Sequence, residues 1–373
     1  MKLKFKKMSR LKIFIFVLFI SYPLKNKAQT VLSKQQKDNV IENTKRVIKS
    51  NYVFIEKARG LNRSLDSLNS LGRYNDVKDY QIFADELTND LVSSSSDKHF
   101  KVQYRPDLAK SSRKESNEER NESEERIDLN FWYAQKVNFG FQEVEILDGN
   151  IGYIRLTFFD SFQWVKTTID AAMGFVSNTD ALIIDLRGNG GGYSSATYLA
   201  SYFFKEEPTL WNTSFNRATN ETENEYTFQQ VDGERYLNKP IYVLVDEKSF
   251  SRAEGFAYGM KHFNKATILG QRTPGAAHFI DFIEIGDNFF IQVPVGRNIH
   301  PITKTDWEGI GVVPHIITLK EDTFKVAYDQ ALDALIAGQK NDALGIHYDK
   351  LIKKYKRIKE KIKTKETCCY HRE

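Results

Sequence analysis

The stretches "ALIIDLRGNGGGYSSATYLASYFF" and "IYVLVDEKSFSRAEGFAYGM" constrain this chain more than anything else in it. Each opens on a short apolar run without alternation, passes through a turn, and continues at helical spacing. Such a run is buried on both faces, the condition of a strand inside a sheet covered by helices. Two β-loop-α units in one sheet bring their loops to the same edge, beyond the carboxyl ends of the strands. The loop "RGNGGG" (residues 187–192) and Ser251 are therefore expected side by side. The expected architecture is α/β.

The rest of the chain arranges itself around these units. From about Val31 to Asp90 apolar residues fall at helical spacing, in "VLSKQQKDNVIENTKRVIKSNYVF" and again in "YQIFADELTNDL". A polar turn, "SSSSDKHF", leads into an alternating strand. Residues 109–126, "AKSSRKESNEERNESEER", have no aliphatic residue after Ala109 and dense mixed charge, which reads as a solvated loop. "FQEVEILDGNIGYIRLTFF" alternates around a "DGN" turn and predicts paired strands. "WVKTTIDAAMGFV" is an amphipathic helix, and "ATILG", "HFIDFIEI" and "NFFIQVPV" supply further strands. Two helices close the chain. In the second, Leu351, Tyr355, Ile358 and Ile362 share a face while nine Lys/Arg occupy the rest of Lys350 to Lys365. A basic amphipathic helix can make membrane-surface contact with anionic lipid, but docking with a solvated outer face is the preferred reading. The expected divisions are 1–28 (signal peptide), 29–105 (helical), 106–128 (charged loop), 129–320 (the α/β unit that carries Ser251) and 321–367 (C-terminal helices).

The first 28 residues read as a leader: a basic start, a 12-residue apolar run "IFIFVLFISYPL", and a cut near Ala28. That run is short for a membrane span, so export to the periplasm or medium is expected over an uncleaved anchor. The segment carries eight Lys/Arg and no acid, so removing it takes the net charge from +5 to −3. A nucleic-acid role then loses its main support. Cys368 and Cys369 are adjacent and have no other cysteine to pair with, so the fold is expected to stand without disulfides.

Ser251 stands three residues before Glu254 at a helix start, the spacing of a capping box. The same place could present a nucleophile, beside free N–H groups and the positive end of the helix dipole. The glycine loop has two readings as well. It lacks the register of a dinucleotide fingerprint and no P-loop lysine follows it. As an oxyanion site, it would offer an N–H from Gly190 or Gly191, with a second from Arg252 directly after the serine. A serine nucleophile needs a base. Of seven histidines, His99, His278, His300 and His315 lie on expected strands or loops. No clustered ligand set suggests a metal, and no cofactor is expected.

Together, "ALIIDLRGNGGG", "VDEKSFSRAEGFAYGMKHFNKATILGQRTPGAAH" and "WEGIGVVPHI" resemble the C-terminal processing (tail-specific) serine peptidases. Order and spacing are most similar to the branch containing the tricorn protease core and the interphotoreceptor retinoid-binding protein modules. The resemblance runs from about Ser93 to Ile316. It implies a crotonase-like spiral of ββα units with an N-terminal helical domain, and Ser251 as nucleophile. It implies His99, from the D-x-H segment "DKHF", as base, and Glu308, before G-V-x-P, as an orienting or polarising group. Where the bacterial branch has a catalytic lysine, Ala276 stands here, so a Ser-Lys dyad is disfavoured. The tricorn core has a serine just before its histidine; this chain has Lys98. There is little room for a PDZ insert. The implied function is an exported serine peptidase acting on peptides or proteins through an acyl-enzyme on Ser251. The alternative is a non-catalytic ligand-binding module, for which 26 Phe and 18 Tyr could line a cavity.

Overall fold

The computed structural model describes residues 31–108, 129–339 and 348–364. The expected leader, most of the charged stretch and the two cysteines lie outside these residues. Six strands build the main sheet: β2 (Phe141–Leu147), β3 (Ile151–Leu156), β4 (Ala181–Asp185), β7 (Ile241–Val245), β8 (Thr267–Gly270) and β11 (Ile316–Ile317). Their order is β11-β8-β7-β4-β3-β2, parallel throughout except for β2 at the edge. Edge strand β2 returns on β3 through the expected "DGN" turn, with Gly149 at φ 92° and Asn150 at φ 59°.

The two central strands, β4 and β7, are buried at every residue. Alternate side chains serve opposite faces. Leu182, Ile184, Val243 and Val245 pack against the helices α4 (Phe162–Val176), α5 (Ser195–Ser201) and α6 (Arg252–His262). Ala181, Ile183, Tyr242 and Leu244 face α7 (Thr323–Gln339) and α8 (Tyr348–Thr364). This is a three-layer α/β/α arrangement, and it explains the unbroken apolar runs. Helix α8 joins that second core through Tyr355, Ile358 and Ile362, so the apolar face of the basic helix is covered by protein. Among the described residues no helix is long and apolar enough to cross a membrane.

A second sheet grows from the same chain. Its strands are β1 (Lys101–Tyr104), β5 (Leu210–Asn216), β6 (Glu221–Tyr226), β9 (Phe279–Gly286) and β10 (Phe289–Ile299). The long β10 is the spine: its first half pairs with β1 and β9, and its last residues pair with β5. The N-terminal helices α1 (Lys34–Asn51), α2 (Ile55–Ser70) and α3 (Tyr80–Ser95) pack on this sheet. Val40, Ile48, Phe83 and Leu91 there share a core with Ile285, Phe289, Ile291 and Val293. The hairpin β5–β6 was not anticipated, because "ETENEY" offers no apolar alternation and β6 is largely exposed.

His300, one of the candidate bases, sits at the end of β10 against Tyr258, His262 and Phe263. Burial, with help from the charge of His262, pushes its imidazole down to about 4. The ring therefore stays neutral in the folded state while the unfolded chain takes up a proton near pH 6.5. Stability is full above that pH and is lost as pH falls towards 4, by about 3 kcal/mol from this group. In urea titrations His300→Gln should flatten the decline of unfolding free energy between pH 6.5 and 4, whatever its effect at neutral pH.

Candidate active site

Ser251 ends the turn after β7 and begins α6 with φ 53° and ψ −115°, a conformation rare for a residue with a side chain. Backbone held there costs about 1–3 kcal/mol and persists only where its surroundings fix it. Two neighbours do so. Glu254 reaches back and accepts the Ser251 N–H at 2.8 Å, as the capping spacing anticipates. On the other side is Gly191, at φ 96°. A Cβ on Gly191 would stand 2.7 Å from the Phe250 carbonyl and 2.9 Å from the Ser251 Cβ. The Phe250 N–H donates to the Asn189 carbonyl (2.9 Å), and Gly188 N–H to Asp246 (2.9 Å). The glycine loop and the serine turn are thus joined, as the two β-loop-α units require.

The three expected oxyanion donors separate in the structure. Arg252 N–H has no hydrogen-bond partner among the described residues. Gly190 N–H donates to the Thr157 carbonyl (3.2 Å) and Gly191 N–H to Asn189 Oδ1 (2.9 Å). Both glycine N–H groups of the loop are thus engaged within the protein, an arrangement that leaves Arg252 N–H as the free member of the expected set. Its cause is local: the turn satisfies its own buried N–H groups.

Glu254 is fully buried and organises what lies beyond. Besides Ser251 it accepts from Thr273 Oγ1 (2.6 Å), Gly275 N–H (2.7 Å) and Ala276 N–H (2.9 Å). Burial raises its carboxyl above its usual value despite these four donors. The next two backbone groups, Ala277 and His278 N–H, donate to Glu308 Oε2 at 2.8 and 3.1 Å. Trp307 Nε1 donates to the Ala276 carbonyl (3.1 Å), fastening the Glu308 loop along the same strip.

His99 arrives from far away in sequence. Helix α3 ends at Ser96 in the left-handed conformation, and the turn to β1 holds Asp97 and His99. Asp97 Oδ1 accepts both the His99 N–H and the ring at Nδ1, each at 3.0 Å. Gln292 on β10 donates to the His99 carbonyl (2.9 Å). The same ring nitrogen lies 3.3 Å from Glu308 Oε1. Facing two carboxylates, Nδ1 carries the proton and Nε2 is left as an acceptor. Burial would lower the His99 imidazole, but Asp97, Glu308 and Glu254 together lift it above its usual value. Burial would raise Asp97, but His278 and His99 hold it well below the usual carboxylate range.

The structure thus brings His99, Glu308 and the neighbourhood of Ser251 together through Glu254, although no hydrogen bond joins the Ser251 hydroxyl to His99. It also adds Asp97, which the sequence reading left without a role. The D-x-H spacing was the available signal, because an aspartate two residues before a histidine can accept its N–H. His278 joins the group as well, its ring 5.7 Å from that of His99. His315 is occupied elsewhere, its Nδ1 accepting the Ile268 N–H (2.9 Å).

A strained serine at a strand-to-helix turn with a glycine loop against it is an arrangement that hydrolases use to expose a nucleophile. Residues 150–318 match peptidase family S41, and residues 25–148 match the N-terminal domain of peptidase S41 in eukaryotic IRBP. The chain belongs to peptidase family S41. It is 27% identical over 197 residues to a carboxyl-terminal-processing protease of Synechocystis, covering 51% of this chain and 44% of that one. It is 27% identical over 168 residues to the chloroplastic carboxyl-terminal-processing peptidase 2 of Arabidopsis thaliana, covering 44% of this chain and 31% of that one. The chain thus spans less than half the length of these relatives. Among solved structures, a putative peptidase from Parabacteroides merdae superposes with a TM-score of 0.54 at 20% identity. That match covers 79% of this chain and 96% of the other, and shows a shared fold.

Glu254→Gln tests the hub. The amide would turn an NH2 towards donors, leaving buried N–H groups unmatched at about 1–3 kcal/mol each. Urea denaturation should show a loss of at least about 2 kcal/mol. An unchanged midpoint would mean the four bonds contribute little.

Proposed function

We propose that the chain is a serine peptidase in which Ser251 is the nucleophile and His99 the general base. The observation that carries this reading is the backbone of Ser251, φ 53° and ψ −115°, fixed between Glu254 and the glycine loop. A capping serine needs no such strain, since helix caps ordinarily sit in extended backbone, as Ser33 and Asp79 do here.

On this reading His99 Nε2 takes the hydroxyl proton as Ser251 attacks a peptide carbonyl. Asp97 and Glu308 hold the imidazole in the required tautomer and stabilise the imidazolium that forms. The oxyanion rests on Arg252 N–H, directly above the helix terminus. Gly191 supplies a second donor once its N–H turns from Asn189 towards the oxyanion, a rotation open to glycine. Water then resolves the acyl-enzyme, with the imidazole returning the proton. Ser251 and His99 must close to hydrogen-bond distance when substrate binds, as catalytic contacts in unliganded sites commonly do. The substrates are peptides or proteins. Export by the N-terminal leader, the crotonase-like form of the fold, and the division into helical, charged-loop, catalytic and C-terminal parts complete the reading.

A fluorophosphonate probe tests it without knowledge of the substrate. The wild type should be labelled, Ser251→Ala should not, and His99→Ala should be slowed by at least about a hundredfold. Glu308→Gln should label more slowly than wild type but faster than His99→Ala, since it keeps the shape and loses the charge. Labelling of the His99→Ala protein at the wild-type rate would remove His99 from the mechanism. Absence of labelling in the wild type would favour the ligand-binding alternative.

A further inference from the structure

The side chains of Asp97, His99, His278 and Glu308 each offer a ligand atom, and these atoms lie within 4.8 Å of one another. The separations are telling. His99 Nδ1 is 3.0 Å from Asp97 and 3.3 Å from Glu308; His278 Nδ1 is 3.8 Å from Asp97 and 3.6 Å from Glu308. Four donors held about 2.0–2.1 Å from a tetrahedral zinc ion stand about 3.3 Å apart along each edge. The histidine-to-carboxylate separations lie around that figure, with His99 meeting Asp97 Oδ1 and Glu308 Oε1 and His278 meeting Asp97 Oδ2 and Glu308 Oε2, so one oxygen of each carboxylate must draw inwards to complete the set.

A second observation points the same way. The His278 side chain is only 2% exposed, and both of its ring nitrogens lack a hydrogen-bond partner. A buried imidazole without partners is costly unless something completes it. Its Nδ1 faces the two carboxylates. The surroundings are those of a supported ligand set: Tyr52 Oη donates to Asp97 Oδ2 (3.2 Å), and two backbone N–H groups fix Glu308 Oε2. Phe54 lies edge-on against His278 at 5.3 Å and shields that side.

We propose that Asp97, His99, His278 and Glu308 form a binding site for a zinc-class divalent ion whose occupancy silences the His99 base. Two imidazoles and two carboxylates suit zinc, whereas calcium and magnesium prefer oxygen donors in larger number. One divalent charge balances the two carboxylates. The second half of the proposal rests on His99 being the base. A neutral imidazole has one proton, and ligation at Nδ1 places it on Nε2. That nitrogen then cannot accept the proton of Ser251. Metal binding and general-base action thus exclude each other on one ring, and the ion acts as a reversible inhibitor.

Zinc titration of tag-free, full-length protein against a chromogenic chelator tests the site. Wild type and Ser251→Ala should each hold one zinc equivalent more tightly than His278→Ala does, by at least about tenfold, and Glu308→Gln should weaken the same equivalent. The tail residues Cys368, Cys369 and His371 are common to all four proteins and cancel in the comparison. Equal zinc binding by wild type, His278→Ala and Glu308→Gln overturns the site. Fluorophosphonate labelling then reads the consequence: one bound equivalent should suppress it in the wild type, and a chelator should restore it. Unchanged labelling with the site filled overturns the silencing. Labelling absent with and without zinc would count against the peptidase reading, while the chelator titration still decides the metal site.

Discussion

Four donors converging on the buried carboxylate of Glu254 hold the rest of the site in place. Ser251 lies on one side of that carboxylate, and the strip from Thr273 to Ala276 on the other. The strip continues into Ala277 and His278, which hold Glu308, which faces His99. Most of these links run from backbone N–H groups of the loops to a carboxylate, with Thr273 Oγ1 and the His99 ring as the side-chain members. Disturbing the first link disturbs the serine and the histidine at once. The buried charge is tolerable only because every donor is present, which is why the loops that supply them run so close together.

Much of this was legible in the chain. The apolar runs at β4 and β7 announce themselves because both faces of the sheet are covered. The "DGN" turn declares the β2–β3 hairpin. The amphipathic C-terminal helix shows its core-facing residues, since Tyr355, Ile358 and Ile362 are indeed buried. The hairpin β5–β6 was silent, because β6 lies at a sheet edge where glutamate and asparagine meet water on both faces. Periodicity reports burial, and where little is buried there is little to read.

The site was legible as separate pieces and not as an assembly. Ser251 and the glycine loop share one sheet edge, and β-loop-α geometry brings them together without further information. The approach of His99 depends on β1 pairing with β10, residues about 190 positions apart, with register set by packing under the N-terminal helices. No local pattern encodes that. His278 was left without a role for the same reason, since it meets Asp97 and Glu308 only in the folded chain, whereas Asp97 holds its neighbour His99 through a local D-x-H spacing. The glycine loop shows the converse. Its glycines were plain to see, but which N–H groups the turn would consume internally was not.

The position of β10 also imposes an order in time. His99 leaves the ribosome early, with the N-terminal helices, yet the strand that seats it follows at residues 289–299, and Glu308 later still. A growing chain therefore carries Ser251 on its helix before the histidine opposite has anywhere to dock. With Ser251 as nucleophile, the chain cannot cut while it is being made, and a fragment ending before β10 would be inert however well its parallel sheet had formed. On the proposed reading, synthesis through β10 and the Glu308 loop is the step that arms the molecule.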